Sequence, residues 1–269
     1  MSTYERERDT AVRAARAAGA IVRDYYEGRG DIALRQKGHD NPLTAADEDA
    51  DAHIKAVILD AFPDDGWLSE ETRDSRERLG KSRVWVVDPL DGTKEFTQHI
   101  PEFCVCIALT VDGRPVVAVE YNPAADRLYC AVRGQGTTAD GAPARVSAQT
   151  SVAAAQVLAS RSEDKRGEWD LYKPRCRVVR TGSVAFKLAE LATGHGDATF
   201  TLTPKNEWDV CAGSLLVEEA GGRVTGLDLQ PLRFNQADPL RPGMIASNGH
   251  LHDALVALIR ELEPKKLRP

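Results

Sequence analysis

Apolar positions change period along the chain, and each change marks a different kind of element. Between Tyr4 and Glu27, Ala11, Val12, Ala15, Ala18, Val22 and Tyr25 recur at helical spacing with Arg and Asp between them. This predicts an amphipathic helix over residues 4–27 that ends near Gly28. The same spacing of Ile54, Val57, Ile58 and Ala61 predicts a second helix from Thr44 to Ala61. Its opening, Thr44-Ala45-Ala46-Asp47, reads as a capping box with Asp at the third helical position. Val84-Trp85-Val86-Val87 run without alternation, as a strand buried on both faces does. From Phe103 onward the pattern is of strands joined by tight turns: Phe103 to Val111, Asp112-Gly113, Pro115 to Tyr121, Asn122-Pro123, then Arg127 to Val132. That is an antiparallel meander.

Beyond Pro143 strands and helices alternate. Strand patterns over Val157 to Ser160, Val178 to Arg180, Ala198 to Leu202, Arg223 to Thr225 and Met244 to Ser247 are interleaved with helical patterns over Val184 to Ala192, Trp208 to Ala220 and His250 to Leu262. The order predicts a mixed or partly parallel sheet covered by helices. The expected fold class is therefore α/β (α+β), with an antiparallel sheet in the first half and a mixed sheet in the second. A boundary near residue 145 gives expected domains 1–145 and 146–269, and small ligands favour the cleft between such units.

A chain of 269 residues that is 42% hydrophobic and 28% charged has the composition of an ordinary globular protein. No apolar run approaches the roughly 18 residues that cross a bilayer. Tyr4-Glu5-Arg6-Glu7-Arg8-Asp9 is no signal core, so a cytoplasmic protein without a membrane partner is expected. The net charge of −6 argues against a nucleic-acid polymer as partner, which calls for a basic footprint. The cysteines, Cys104, Cys106, Cys130, Cys176 and Cys211, are odd in number and form no C-x-x-C pair. Cys104 and Cys106 share one face of a strand, and reduced buried thiols are expected.

The chemistry concentrates in Asp88-Pro89-Leu90-Asp91-Gly92-Thr93. Pro89 turns Asp88 away from helix and fixes its own φ, and Gly92 frees the exit, so the run predicts a β-turn with Asp88 and Asp91 at its corners. Carboxylates so close raise each other's pKa unless a cation lies between them. Mg²⁺ suits such oxygens, the Leu90 carbonyl among them, and keeps positions for water and phosphate. Taken alone, the run also reads as an ordinary acidic turn. Two further acidic groups, Ser69-Glu70-Glu71 and Trp208-Asp209-Val210-Cys211-Ala212-Gly213, have everyday readings as a solvated surface and a helix cap.

Together and in this order, these segments resemble the lithium-sensitive phosphatase motif set of the inositol monophosphatase superfamily: an upstream Asp, an E-E pair, D-P-[LI]-D-G-T, then W-D-x-x-A-G. The resemblance extends from about Lys37 to about Asn248 and implies a layered α-β-α-β-α architecture. It implies that Glu70, Asp88, the Leu90 carbonyl, Asp91 and Asp209 hold two or three Mg²⁺ ions, that Asp47 and Thr93 orient the attacking water, and that Li⁺ inhibits. The extension Lys94-Glu95-Phe96 resembles the CysQ-type 3'(2'),5'-bisphosphate nucleotidases, as do Gly182-Ser183 with Lys187 and the late Pro231-Leu232-Arg233-Phe234-Asn235. The substrate contacts so implied are Gly92, Thr93, Lys94, Gly182, Ser183, Lys187 and Asp209. The implied reaction is adenosine 3',5'-bisphosphate to AMP and phosphate, with the 3'-phosphosulfate form as a further substrate and a monomer or homodimer as the working unit. Inositol 1-phosphate, fructose 1,6-bisphosphate and histidinol phosphate are the alternative substrates for the same machinery. From the residues alone, Gly182-Ser183 opening a helix offers an anion site, and Lys187 and Arg233 also read as plain surface charges.

Overall fold

The computed structural model describes residues 3–30, 35–38 and 41–267. After α1 (Glu5–Tyr26), a short antiparallel hairpin of β1 (Arg35–Gly38) and β2 (Asn41–Leu43) leads into α2 (Ala45–Ala61). Both helices lie on one face of a seven-stranded sheet whose strands follow chain order: β3 (Gly66–Ser69), β4 (Arg83–Asp91), β5 (Cys104–Val111), β6 (Arg114–Asn122), β7 (Arg127–Val132), β8 (Gly136–Ala139) and β9 (Ala142–Ala144). The pair β3–β4 is parallel and the rest of the sheet is antiparallel, with β5, β6 and β7 forming the meander expected. A single helical turn, α3 (Thr93–Thr97), follows β4.

The second half supplies β10 (Gln156–Ser160), α4 (Arg161–Lys165), β11 (Arg177–Thr181), α5 (Val184–Ala192), β12 (Ala198–Thr201), β13 (Lys205–Asn206), α6 (Glu207–Glu219), β14 (Arg223–Gly226), β15 (Leu240–Arg241), β16 (Met244–Ser247) and α7 (His252–Leu262). Its five-stranded sheet is ordered β11-β10-β12-β16-β14, parallel across the first three strands and antiparallel across the last three. Helices α5 and α6 fill the space between the two sheets, and α7 covers the far side of the second. The layers therefore alternate α-β-α-β-α.

Residue-by-residue alternation explains this stacking. On β5, Val105, Ile107 and Leu109 enter the core shared with α1 and α2, whereas Cys104, Cys106 and Ala108 enter the core shared with α5 and α6. A strand buried on both faces has no polar positions to alternate, which is why its sequence reads as a continuous apolar run. All of the cysteines are free and buried, as expected of packing thiols. Ile54 and Ile58 of α2 are fully buried against the first sheet. Truncating either to Ala would cost about 2–5 kcal/mol.

One local expectation is corrected. The Asp88–Asp91 run does not reverse the chain; β4 continues through it. Asp88 pairs with Cys106 and Asp91 with Cys104, so the β4 side carries an extra residue and the ladder bulges there. Proline fits at a bulge because it withholds no ladder hydrogen bond. The short elements β8, β9, α3, α4 and the β13–β15 ribbon had no signature of their own, being too short to establish a period.

Candidate active site

Helix α2 opens with Asp47 in its first turn. Asp47 Oδ2 accepts from the Thr44 backbone N–H at 2.8 Å and from the Thr44 hydroxyl at 2.6 Å. Its other oxygen, Oδ1, lies 3.1 Å from Thr93 Oγ1. Thr93 begins α3 directly after Gly92, whose φ of 97° lies in the left-handed region. A Cβ at Gly92 would also sit 2.9 Å from the Glu102 carbonyl, so only glycine serves here. Thr93 Oγ1 is equally 3.1 Å from the Leu90 carbonyl. A hydroxyl carries one hydrogen, so whenever Thr93 donates to Asp47 that carbonyl keeps its lone pairs for another partner.

Three carboxylates from distant parts of the chain meet beside this pair. Glu70, Asp88 and Asp209 each offer an oxygen within 4.8 Å of the others. Glu70 follows β3 and its N–H donates to the Val87 carbonyl at 3.3 Å. Asp88 lies on β4, with Oδ1 accepting from the Leu90 N–H at 2.9 Å. Asp209 completes a capping box on α6, accepting from the Asn206 N–H at 2.9 Å through Oδ2. Burial, then the charges of Glu70, Asp91 and Asp209, push the Asp88 carboxyl well above the usual carboxylate range. Burial, then Asp91 and Glu70, do the same to Asp209. Such a cluster is unfavourable as anions alone and fits a hard divalent cation, which would favour the charged forms. Asp91 lines the same cleft but is partly committed elsewhere. Its Oδ2 accepts from the Ala185 N–H at 2.6 Å and from the Ser183 hydroxyl.

The cleft has a volume of about 310 Å³. Along with the carboxylates, the Lys94, Lys187, Lys205 and Arg166 side chains line it, as do Ser160, Ser162 and Glu95. Lys187 is only 4% exposed, and burial lowers its ammonium pKa. Glu163, buried next to it, is held by the hydroxyls of Thr201 at 2.6 Å and Thr203 at 3.0 Å and by Lys205 at 3.4 Å. Burial also raises the Glu95 carboxyl.

Not every expected residue arrives as expected. Asp47, Glu70, Asp88, Leu90, Asp91, Gly92, Thr93, Lys94, Ser183, Lys187 and Asp209 gather at or directly beside the cleft. Gly182 does not line it; its N–H donates to Glu102, which also grips Arg161. Ser183 lines the cleft, yet its hydroxyl caps α5 by accepting from the Phe186 N–H at 2.9 Å and donates to Asp91. The anions at the start of α5 are thus the protein's own carboxylates. Phe234 is buried in the inner core and Asn235 is bound to Arg78 at 2.7 Å, so this late segment sits away from the cleft lining. Glu163, Arg166 and Lys205 were missed, because no local pattern distinguishes them from surface charges. Lys205 had only its position immediately before the Asn206 cap as a clue.

A hard-cation site built from carboxylates at the cleft of an α-β-α-β-α sandwich defines a class of hydrolytic phosphoryl-transfer proteins, and comparison with known proteins agrees. The sequence model of the inositol monophosphatase family matches residues 4–263. The chain is 33% identical over 268 residues to inositol monophosphatase 2 of Solanum lycopersicum, covering 95% of this chain and 98% of the relative. It is 36% identical over 224 residues to the Nus factor SuhB of Escherichia coli, covering 80% and 83%. Among solved structures, an inositol monophosphatase from Anabaena superposes with a TM-score of 0.81 at 30% identity, covering 98% of this chain and 99% of that one. An IMPase from Thermotoga maritima gives 0.83 at 28% identity, covering 96% and 98%. The chain belongs to the inositol monophosphatase family, and is a metal-dependent phosphatase of that family.

Proposed function

We propose that this phosphatase removes the 3'-phosphate of adenosine 3',5'-bisphosphate, giving AMP and phosphate, and that it also accepts the 3'-phosphosulfate form. The observation that carries this reading is Lys187, a buried ammonium lining the same cleft as the carboxylate cluster, in company with Lys94, Lys205 and Arg166. A substrate with a second anionic group some distance from the reacting phosphate suits that distribution of charge. The substrate is a small ester rather than a polymer or lipid, in keeping with the net charge of −6, and the enzyme works in the cytoplasm as a monomer or homodimer.

Glu70, Asp88, the Leu90 carbonyl, Asp91 and Asp209 would hold two or three Mg²⁺ ions, which when bound supply Lewis acidity and neutralise phosphate charge. Within the protein, Thr93 donates its hydrogen to Asp47 Oδ1, which leaves a Thr93 lone pair to accept from the attacking water. As the water oxygen bonds to phosphorus, its proton passes to Thr93 and the Thr93 proton passes to Asp47. The bond from phosphorus to the ribose 3'-oxygen breaks, that oxygen takes a proton from solvent, and Asp47 returns its own to solvent, which restores the pair. Positioning and charge are what phosphoryl transfer asks of a protein, and no covalent intermediate is needed. Lys94 and Lys187 hold the 5'-phosphate, and binding energy realised there helps place the 3'-phosphate.

A second reading, hydrolysis of inositol 1-phosphate, draws on relatives that are named inositol monophosphatases. Phosphate release from adenosine 3',5'-bisphosphate, AMP, inositol 1-phosphate, fructose 1,6-bisphosphate and histidinol phosphate, with and without Mg²⁺, separates the two. The bisphosphonucleoside is expected to lead the others in kcat/KM by at least about tenfold, or about 1.4 kcal/mol. A better rate with inositol 1-phosphate or fructose 1,6-bisphosphate overturns the nucleotidase reading. LiCl is expected to inhibit at ionic strengths where KCl does not.

A further inference from the structure

Asp51 stands one turn after Asp47 on α2, on the same helix face, and is buried. Its two oxygens are divided between two side chains. Oδ1 accepts from the Ser69 hydroxyl, and Oδ2 accepts from the Thr72 hydroxyl at 2.6 Å. Ser69 and Thr72 bracket Glu70 and Glu71 in the sequence.

That bracket lies where the backbone offers little support. Among the described residues β3 is an edge strand with β4 on one side only, and the Glu70 N–H to Val87 carbonyl contact of 3.3 Å follows its last residue. From there to Ser82 the chain contains no strand or α-helix, only a 3₁₀ turn at Glu77–Gly80. An edge-strand end that runs into a long loop has few constraints of its own. Arg78 ties the far end of the loop through Asp74 at 2.8 Å and Asn235 at 2.7 Å. At the near end, Asp51 supplies a side-chain clamp.

We propose that Asp51 is a positioning residue for the cation site: by tying Ser69 and Thr72 to α2, it holds the Glu70 carboxylate in register with Asp88 and Asp209 and so tightens Mg²⁺ binding. The proposal rests on the reading of Glu70 as a ligand. On this view α2 serves both arms of the site from successive turns. Asp47 reaches Thr93, and Asp51 reaches the segment that carries Glu70. Groups that orient ligands in this way are generally worth about 10–100-fold in metal affinity.

The test is Mg²⁺ affinity, read from the Mg²⁺-dependent rise in melting temperature of the metal-free protein and from Mn²⁺ binding by electron paramagnetic resonance. Asp51→Ala is expected to move the midpoint to about 10–100-fold higher Mg²⁺. Asp51→Asn keeps one acceptor oxygen and should fall between it and the unmodified protein. An unmoved midpoint in Asp51→Ala overturns the proposal. Should Asp51→Ala fail to fold, Thr72→Val decides, since it deletes one hydroxyl and leaves the charges alone; a raised midpoint supports the clamp and an unmoved one overturns it. Glu70→Gln is measured alongside. If it leaves the midpoint unmoved, the ligand reading falls and takes this proposal with it. If it raises the midpoint while Asp51→Ala does not, the Asp51 proposal alone falls.

Discussion

Thr93 Oγ1 lies 3.1 Å from Asp47 Oδ1, joining the first residue of α3 to the first turn of α2 across 46 residues of chain. Asp47 is fixed from behind by Thr44, so the pair is set in place by a helix cap. Thr93→Ala should lower kcat by about 10²–10⁴ with KM little changed, the range for a positioned acid-base group. Steady-state kinetics at saturating Mg²⁺ check this. A raised KM with kcat intact would make Thr93 a substrate contact instead.

Asp88→Asn should abolish Mg²⁺-dependent phosphate release while leaving the protein folded. Asparagine keeps the oxygen that accepts from the Leu90 N–H, and it removes from a mutually repelling cluster a buried carboxyl that must otherwise bear charge or take up a proton. The metal-free variant should therefore melt a few degrees above the metal-free unmodified protein. Calorimetry in EDTA is the measurement, and a lower melting temperature would contradict the repulsion.

Lys187→Met keeps the apolar stem and deletes the ammonium. It should lower kcat/KM for adenosine 3',5'-bisphosphate by about tenfold, or about 1.4 kcal/mol, and bring it toward the values for simple monophosphates. An equal fall for every ester would assign Lys187 to the reacting phosphate or to packing. No fall for any would remove it from substrate binding.

Glu120 is fully buried, and neither of its carboxyl oxygens has a hydrogen-bond partner. Burial, followed by the charge of Asp91, pushes its carboxyl well above the usual range. Above the unfolded pKa, near 4.5, the unfolded chain holds fewer protons than the folded one, so this group lowers stability as pH rises toward its folded pKa. Glu120→Gln should therefore be more stable than the unmodified protein at pH 8, with the gap narrowing toward pH 4.5. Urea unfolding across that range tests it, and a gap independent of pH would refute the assignment.

His252 behaves in the opposite sense. It is 1% exposed and sits 3.1 Å from both Thr225 Oγ1 and Ser247 Oγ, and burial lowers its pKa to about 4. Between about pH 6.5 and 4 the unfolded chain binds the extra proton, so stability is present above pH 6.5 and is lost on acidification. His252→Gln should flatten this part of the profile by about 2 kcal/mol between pH 7 and pH 4.5. Paired urea titrations at the two pH values would show the difference, and parallel profiles would exclude it.

Periodicity fixed the elements that are long enough to have a period. Val184–Ala192 and Met244–Ser247 fall where their patterns placed them, as do the main strands of the meander, because an apolar face is written locally in the spacing of side chains. The order of the acidic motifs was likewise enough to point to the family. What the tertiary structure decided is how each group is used. Asp88 and Asp91 lie along a bulged strand, not around a turn; the start of α5 is already supplied with Asp91 and Glu102; Phe234 is core; and Lys187 is buried beside Glu163. Nothing in the local spacing marks Asp51, and its partners Ser69 and Thr72 meet it only in the packed structure. Spacing along a chain determines which way a side chain points from its own element. Whether it meets solvent, a hydroxyl or another charge depends on residues tens of positions away, and those arrive only when the layers pack.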